Sequence, residues 1–275
     1  MKVQGQVCWV SGAAQGIGLE LCKLLAADGG KVVMVDVCDE TKGQTAVKEV
    51  EKGAKNGGCA AFVRADMSEI EQVRRALEQA KIIFGEVATI VSHNAGIVAY
   101  DEDLGKVQKM LAINTNAMII GSCIASEMIL AAGKKGVIVN TASMAGIIPT
   151  MNTPAYAGSK WAVVGFTLSS ENIAKKGIRI NCVCPNLVDT PVVGTFFEKD
   201  FMRGGKTFQR MAKEKLDASK VARVHLSAIY DDDLFAKCIN VMYSKTAVHD
   251  PLSLKILSST LAKDKPDYFI EESKL

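Results

Sequence analysis

A glycine-rich turn near the N-terminus constrains the fold of this 275-residue sequence more than any other feature. The apolar run Val7–Ser11 leads into Gly12-Ala13-Ala14-Gln15-Gly16-Ile17-Gly18, and a helical pattern follows. Glycines at such a junction permit a tight turn and let backbone N–H groups approach a pyrophosphate at the positive end of a helix. A strand, a glycine turn and a helix in this order predict a dinucleotide-binding unit.

Short runs rich in valine, isoleucine and small residues alternate with helical patterns along most of the chain. Strands are predicted at Val7–Ser11, Lys31–Val37, Ala60–Ala65, Val87–Ser92, Gly136–Thr141, Ile178–Cys184 and Cys238–Tyr243. Helices are predicted at Gly18–Asp28, Thr41–Lys55, Ser68–Phe84, Leu104–Ala132 and Pro154–Lys175. This alternation predicts one α/β domain, residues 1–243, with a Rossmann-like doubly wound parallel sheet of about seven strands flanked by helices. Residues 191–216 interrupt the alternation, and residues 244–275 are expected to form a polar tail outside it.

Composition excludes several classes of protein. The net charge is +3 and no basic run is present, which argues against a nucleic-acid partner. No segment approaches the roughly 20 apolar residues of a membrane span, and the N-terminal stretch does not have the pattern of a signal peptide. The eight cysteines lie in apolar segments without a C-x-x-C pair, and only three histidines are present. We therefore expect a reduced intracellular protein without a metal site.

The last three residues, Ser273-Lys274-Leu275, match the peroxisomal address that an import receptor reads. The alternatives are a chance match and a cytoplasmic location. The sequence predicts a peroxisomal matrix protein.

Asp36 ends the second predicted strand, 18 residues after Gly18. A carboxylate at this point can accept hydrogen bonds from the ribose hydroxyls but repels a 2′-phosphate. No arginine or lysine stands at Gln15, Val37 or Cys38 to offset that repulsion. NAD is therefore the expected cofactor, with a plain helix cap as the alternative role of Asp36.

The G-x-x-x-G-x-G motif at residues 12–18, Asn94-Ala95-Gly96, and Tyr156-x-x-x-Lys160 preceded by Ser143 resemble the short-chain dehydrogenase/reductase family over residues 3–243. The resemblance implies that Asp66 and Met67 contact the adenine and that Asn94 and Gly96 line the adenosine side. It also implies that the Val188 backbone and the Thr190 hydroxyl bind the carboxamide, after a turn in which Asn186 replaces the usual glycine and tolerates its positive φ. The full predicted cofactor set is Gly12, Gln15, Gly16, Ile17, Gly18, Asp36, Val37, Asp66, Met67, Asn94, Gly96, Tyr156, Lys160, Val188 and Thr190.

Four residues are predicted to carry the chemistry. Oxidation of a secondary alcohol needs a base, and Tyr156 would need its pKa lowered from ~10. Lys160 lies one helical turn on, and a cation ~4 Å away would stabilise the phenolate by about 4 kcal/mol, roughly three pKa units. By the resemblance, Lys160 also holds the nicotinamide ribose, Ser143 polarises the reacting oxygen, and Asn114 kinks its helix and holds a proton-relay water.

The substrate is predicted to be lipophilic. Residues 191–216, which form the substrate lid in this family, contain several large apolar side chains: Phe196, Phe197, Phe201, Met202, Phe208 and Met211. Core packing or a dimer contact is an alternative explanation. Predicted substrate contacts are Ser143, Thr153, Tyr156, Phe196 and Phe201.

Within the family, the glycine turn and the segment Asp217 to Val248 resemble NAD-dependent 15-hydroxyprostaglandin dehydrogenases, although Thr153 replaces a glutamine of that group. The resemblance implies oxidation of a hydroxy fatty acid or prostaglandin-like alcohol to the ketone, and a homodimer formed by the helices 104–132 and 154–175. Two alternatives stay open. One is a peroxisomal hydroxyacyl-CoA dehydrogenase or ketoacyl reductase, with lid cations for the CoA phosphates. The other is a non-catalytic NAD-binding scaffold.

Overall fold

The fold was described from a computed structural model, which describes residues 1–100, 103–150, 153–190, 215–243 and 246–249. Within these residues one sheet has the strand order β3-β2-β1-β4-β5-β6-β7-β8. All neighbouring strands are parallel except β7 and β8, which are antiparallel. The strands are β1 Val7–Ser11, β2 Lys31–Asp36, β3 Cys59–Arg64, β4 Ile90–Ser92, β5 Gly136–Thr141, β6 Ile178–Pro185, β7 Lys237–Val241 and β8 Thr246–His249. The predicted doubly wound sheet is confirmed.

Helices cover both faces of the sheet, so the central strands are apolar along their whole length. They are α1 Gly16–Ala27, α2 Glu40–Glu51, α3 Ile70–Phe84, α4 Leu104–Leu111, α5 Met118–Ala131, α6 Pro154–Leu168, α7 Glu171–Ala174 and α8 Ala218–Tyr230. On one face, α1, α2 and α8 pack over one core cluster. On the opposite face, α3 and α5 pack over a second cluster, and α6 packs with the end of the sheet in a third.

The structure differs from the sequence-based expectations in four places. The expected single helix 104–132 contains a π-helical segment, Ala112–Ala117, between α4 and α5. The expected helix 154–175 breaks after Leu168, where Ser170 hydrogen-bonds the Thr167 carbonyl. Helix α8 was not predicted, and β8 adds part of the expected tail to the sheet. The lid residues 191–214 and the segment 250–275 lie outside the described residues.

The continuous helical stretch Leu104–Ala131 is long and apolar enough to cross a membrane by length and composition, contrary to the sequence-based expectation. Its mean hydropathy is 1.3, and 56% of the apolar window is buried inside the protein. Residues of this stretch such as Ile113 and Ile129 belong to the core cluster beneath α3. Its apolar character is thereby explained by packing on the sheet, as expected for the core helix of a globular domain.

Candidate active site

The candidate site lies at the carboxyl ends of the parallel strands, where β1 and β4 are neighbours although the chain leaves them in opposite directions. Such a switch point leaves a crevice between the loops that follow the two strands. Here the glycine turn follows β1 and Asn94 follows β4. The Asn94 amide donates to the carbonyl oxygens of Ser11 and Gly12, at 3.2 and 3.3 Å. This contact ties the two loops together.

The glycine turn has no room for side chains at two positions. Gly12 has a φ of +63°, and a Cβ there would lie 2.8 Å from the Cα of Ala95. A Cβ at Gly18 would overlap the carbonyl oxygen of Gly12. The turn can therefore lie against the β4 loop and the first turn of α1 at once. This close approach leaves the N-terminal N–H groups of α1 facing the crevice, as binding of a pyrophosphate requires.

Asp36 stands where β2 ends and holds the turns on either side of it. Its carboxylate accepts the backbone N–H of Ala14 at 3.0 Å and that of Cys38 at 3.2 Å. The helix-cap alternative is wrong, because Asp39 caps α2 by accepting the backbone N–H of Lys42 at 2.9 Å. Each Asp36 oxygen still has a further acceptor position, because a carboxylate has about four lone-pair sites.

A cation that the sequence reasoning missed lies beside the glycine turn. Lys42 is in the first turn of α2, and its Nζ donates to Oε1 of Gln15 at 2.8 Å. The sequence-based prediction placed no cation here because it rested on positions 15, 37 and 38. The N-cap at Asp39 was the signal that would have placed residue 42 one turn into a helix beside the glycine turn.

The predicted adenine contacts lie at the ends of β2 and β3. The side chain of Val37 is exposed, whereas Met67 is buried. The Asp66 carboxylate accepts hydrogen bonds from Ser68 at 2.7 and 2.8 Å and from Lys109 at 3.2 Å. Burial alone raises the pKa of Asp66, but the donors on Ser68 and Lys109 outweigh it and lower the pKa below its usual value. Asp66 is therefore ionised and already well bonded.

Ser143, Tyr156 and Lys160 are brought together by β5 and α6. Ser143 follows β5, and its Oγ accepts the backbone N–H of Ala145 at 3.1 Å. Its hydroxyl is near enough to the Tyr156 phenol to favour the ionised form of that phenol. Lys160 lies one turn further along α6, 3% exposed, and its Nζ donates to the Thr141 carbonyl oxygen at 2.9 Å. The Nζ is 5.9 Å from the centre of the Tyr156 ring.

The pKa values in this group differ from the sequence-based argument. Burial raises the pKa of Tyr156, and the Ser143 hydroxyl opposes that rise. Burial lowers the pKa of Lys160 from 10.5 to about 8. The expected lowering of the Tyr156 pKa by Lys160 is wrong for the protein alone. The ammonium donates to the Thr141 carbonyl oxygen and lies 5.9 Å from the centre of the Tyr156 ring, and the cost of burying the phenolate is the largest influence on the pKa of Tyr156.

Asn114 lies in the middle of the π-helical segment and is completely buried. Its amide bonds the backbone of Ile97 twice, accepting the N–H at 2.9 Å and donating to the carbonyl at 2.8 Å. It also donates to the Ser159 hydroxyl at 3.3 Å. Gly96 fits between Asn114 and Lys160: a Cβ there would lie 3.3 Å from Asn114 Oδ1 and 3.5 Å from Lys160 Nζ. The helix interruption thus joins α6 to the β4 loop.

The remaining predicted residues lie on the loops around the crevice. Thr190 lies against the glycine turn, since a Cβ at Gly16 would be 3.1 Å from its methyl group. Val188 is buried and bridges to Leu216. Among the described residues a positive φ occurs outside glycine only at Asn56 and Ala236. The expectation of a positive φ at Asn186 is therefore wrong.

Of the predicted substrate contacts, Thr153 is buried at the start of α6, where its carbonyl accepts the Thr150 hydroxyl at 3.2 Å. Phe196 and Phe201 lie outside the described residues.

Three cysteines meet behind the catalytic group, which sequence spacing did not reveal. Parallel register places Cys238 of β7 beside Cys182 of β6, and Cys184 follows on the same face. Their sulfur atoms all lie within 4.8 Å of one another, with 3.1 Å between those of Cys182 and Cys238. Burial raises the pKa of Cys182. Protonated, buried thiols beside Val163 and Val164 serve as apolar packing.

Comparisons with known proteins decide the family. The family model for short chain dehydrogenase matches residues 6–200. The chain belongs to the short-chain dehydrogenase family. A solved short-chain type dehydrogenase/reductase from Mycobacterium marinum has the same fold, with a TM-score of 0.76 at 23% identity over 88% of this chain and 96% of that chain.

Two relatives of this short-chain dehydrogenase are catalytic enzymes by name. The 15-hydroxyprostaglandin dehydrogenase [NAD(+)] of Bos taurus is 31% identical over 89% of this chain and 94% of its own length. The cyclohexanol dehydrogenase of Acinetobacter sp. (strain SE19) is 34% identical over 74% of this chain and 80% of its own length. Family and relatives together make the protein an alcohol dehydrogenase.

Proposed function

We propose that this short-chain dehydrogenase oxidises a lipophilic secondary alcohol to the ketone with NAD. The observation that carries the proposal is the assembly of Ser143, Tyr156 and Lys160 at the same strand ends as the glycine turn and Asp36. The hydroxyprostaglandin and cyclohexanol dehydrogenases support a secondary alcohol as the substrate class. The physiological direction is oxidation, because cellular NAD pools favour it.

The residues present fit a nicotinamide dinucleotide. The glycine turn admits a pyrophosphate, and Asp36 has free acceptor positions for ribose hydroxyls. Its negative charge disfavours a 2′-phosphate, which supports NAD over NADP. Val37, Asp66 and Met67 would form the adenine end, and Lys160, Val188 and Thr190 the nicotinamide end. NAD supplies the hydride acceptor when it is bound.

Each of the catalytic residues has a distinct role in the proposed reaction. Tyr156, in its ionised form, takes the hydroxyl proton of the alcohol. The Ser143 hydroxyl binds the reacting oxygen and favours the ionised form of Tyr156. Lys160 supplies a positive charge below the phenol and is held in place by the Thr141 carbonyl. Asn114 fixes the β4 loop against α6 through its two bonds to Ile97.

The test is NADH formation by the purified protein with one set of hydroxy lipids, each offered as the free acid and as the CoA thioester. Turnover of the free acids with NAD is expected, because the hydroxyprostaglandin dehydrogenase is a relative over nearly its whole length. Turnover of the thioesters alone would favour a hydroxyacyl-CoA dehydrogenase. Failure of every lipid with NAD would overturn the proposed substrate class.

The matched control is Tyr156→Phe, which removes one hydroxyl and keeps the ring. It should lower turnover about 10²–10⁴-fold while the affinity for NADH stays within about twofold, since general-base catalysis contributes this much. Turnover by this variant at the wild-type rate would exclude the proposed base. NADH binding without turnover by the wild-type protein would instead favour a scaffold.

We further propose a homodimer formed by the long helices. Leu111, Ile120 and Trp161, on α4, α5 and α6, are exposed large apolar side chains in the described structure. Contiguous exposed apolar surface is typical of protein interfaces. Light scattering coupled to size-exclusion chromatography tests the state of the protein directly.

A further inference from the structure

A histidine that the proposed mechanism does not use lies completely buried beneath the site. His225 is on α8, and both of its ring nitrogens have polar neighbours. Nδ1 is 3.4 Å from the Ser92 hydroxyl and Nε2 is 3.2 Å from the Thr141 hydroxyl. Burial lowers the pKa of His225 to about 3, so the ring is neutral at physiological pH and carries a single N–H.

The surrounding hydrogen bonds fix which nitrogen carries that proton. The Asn94 Nδ2 group faces the carbonyl oxygens of Ser11 and Gly12, so its Oδ1 must be the atom that accepts from Thr141, at 3.1 Å. The Thr141 hydroxyl has then given its only proton and accepts from His225. His225 therefore donates from Nε2 and accepts from Ser92 at Nδ1. Only this assignment of the protons lets Ser92, His225, Thr141 and Asn94 form all of these hydrogen bonds.

This series of hydrogen bonds reaches two features of the proposed site, the glycine turn and the Lys160 ammonium. Through Thr141 and Asn94 it reaches the Gly12 carbonyl, in the turn that would hold the pyrophosphate. The main-chain carbonyl of the same Thr141 accepts the Lys160 ammonium. Ser92 ends β4 and Thr141 ends β5, and both face α8. These hydrogen bonds therefore run from α8, past the carboxyl ends of β4 and β5, to the crevice.

We infer that His225 is a positioning residue for the dinucleotide: its Nε2–H orients Thr141, Thr141 orients the Asn94 amide, and Asn94 holds the glycine turn in its binding shape. This inference rests on the proposed cofactor. His225 touches neither cofactor nor substrate and acts only through Thr141.

The test compares three replacements by their dissociation constant for NADH, measured by fluorescence titration of the full-length protein. Glutamine presents an N–H near the position of Nε2, asparagine presents its polar atoms near Nδ1, and leucine presents none. His225→Gln should bind NADH within about twofold of wild type. His225→Asn and His225→Leu should bind about five- to tenfold more weakly, the loss expected when one buried donor is removed.

Val221→Ala is the matched control, because Val221 lies one turn earlier on α8 and is buried in the apolar core without a polar partner in the described structure. It should lower the melting temperature and leave NADH affinity unchanged. Thr141→Val tests the same link from the other side, since it removes the hydroxyl and keeps the carbonyl that holds Lys160. The double variant Thr141→Val with His225→Leu should bind no more weakly than the weaker single variant.

Rescue by glutamine together with this non-additivity would establish the positioning role. The inference is overturned if His225→Gln binds as weakly as His225→Leu, if Val221→Ala weakens binding equally, or if the two losses add. If His225→Leu binds NADH as tightly as the wild type, this inference is overturned but the proposed cofactor is not. A wild-type protein that binds no NADH would overturn the proposed cofactor and this inference with it.

Discussion

The buried ammonium of Lys160, which the proposed mechanism needs, should lower the stability of the protein. With a pKa of about 8 in place of 10.5, keeping this group charged at neutral pH costs about 3 kcal/mol of folding free energy. Lys160→Met keeps the length and apolar stem of the side chain and removes the charge. It should abolish turnover, because the proposed mechanism needs the positive charge below Tyr156.

The sign of the pH dependence follows from proton linkage. Between the folded pKa of about 8 and the unfolded value of 10.5, the unfolded chain binds more protons at this group than the folded protein does. The contribution of Lys160 therefore makes the free energy of unfolding rise with pH, by about 1 kcal/mol between pH 7 and pH 9. The buried cysteines contribute in the opposite direction, because burial raises their pKa, but they are common to wild type and variant.

Urea unfolding of wild type and Lys160→Met at several pH values measures this difference. The absolute stability at pH 7 is not decisive, because the variant also leaves the Thr141 carbonyl without its donor, at a cost of about 1–3 kcal/mol. The decisive quantity is the wild-type value minus the variant value, which should rise with pH. Lys176→Met, at an exposed lysine, should follow the wild type. Parallel curves for wild type and Lys160→Met would refute the depressed pKa.

Three further substitutions test the cofactor site and the assembly. Asp36→Ser should shift preference toward NADP by about tenfold or more in relative kcat/KM, since the repulsive carboxylate is removed; an unchanged ratio would mean that Asp36 does not face the ribose. Gly18→Ala should abolish NADH binding, because the new methyl group overlaps the Gly12 carbonyl; titration showing wild-type affinity would contradict this geometry. Trp161→Glu should convert the expected dimer to a monomer in light scattering, since Trp161 is exposed and apolar; a dimer that persists would place the interface elsewhere.

Local patterns in the sequence were sufficient for the order of most strands and helices. Strands covered on both faces are apolar along their length, so β1, β5 and β6 were visible with nearly correct bounds. The glycine turn was identified from its spacing between a strand and a helix, although Gly12 is required by Ala95 of the distant β4 loop and only Gly18 by a close chain neighbour, Gly12. Missed or misjudged elements, such as α8 and the π-helical segment, depend on what packs against them. The bonds of Asn114 to Ile97, for example, span 17 residues.

Tertiary structure decided the electrostatics and the long-range polar contacts. The sequence placed Lys160 one turn from Tyr156, but only the fold shows that the ammonium is buried and held by Thr141. Burial therefore affects the pKa values of the pair more than the attraction between them does. The sequence by itself determined a doubly wound α/β fold from short-range periodicity, and its motifs carried the resemblance to a dehydrogenase family that implied the candidate catalytic residues. Proton positions and pKa values depend on desolvation and on partners distant in the chain. For that reason His225 emerged only when α8 was seen packed against β4 and β5.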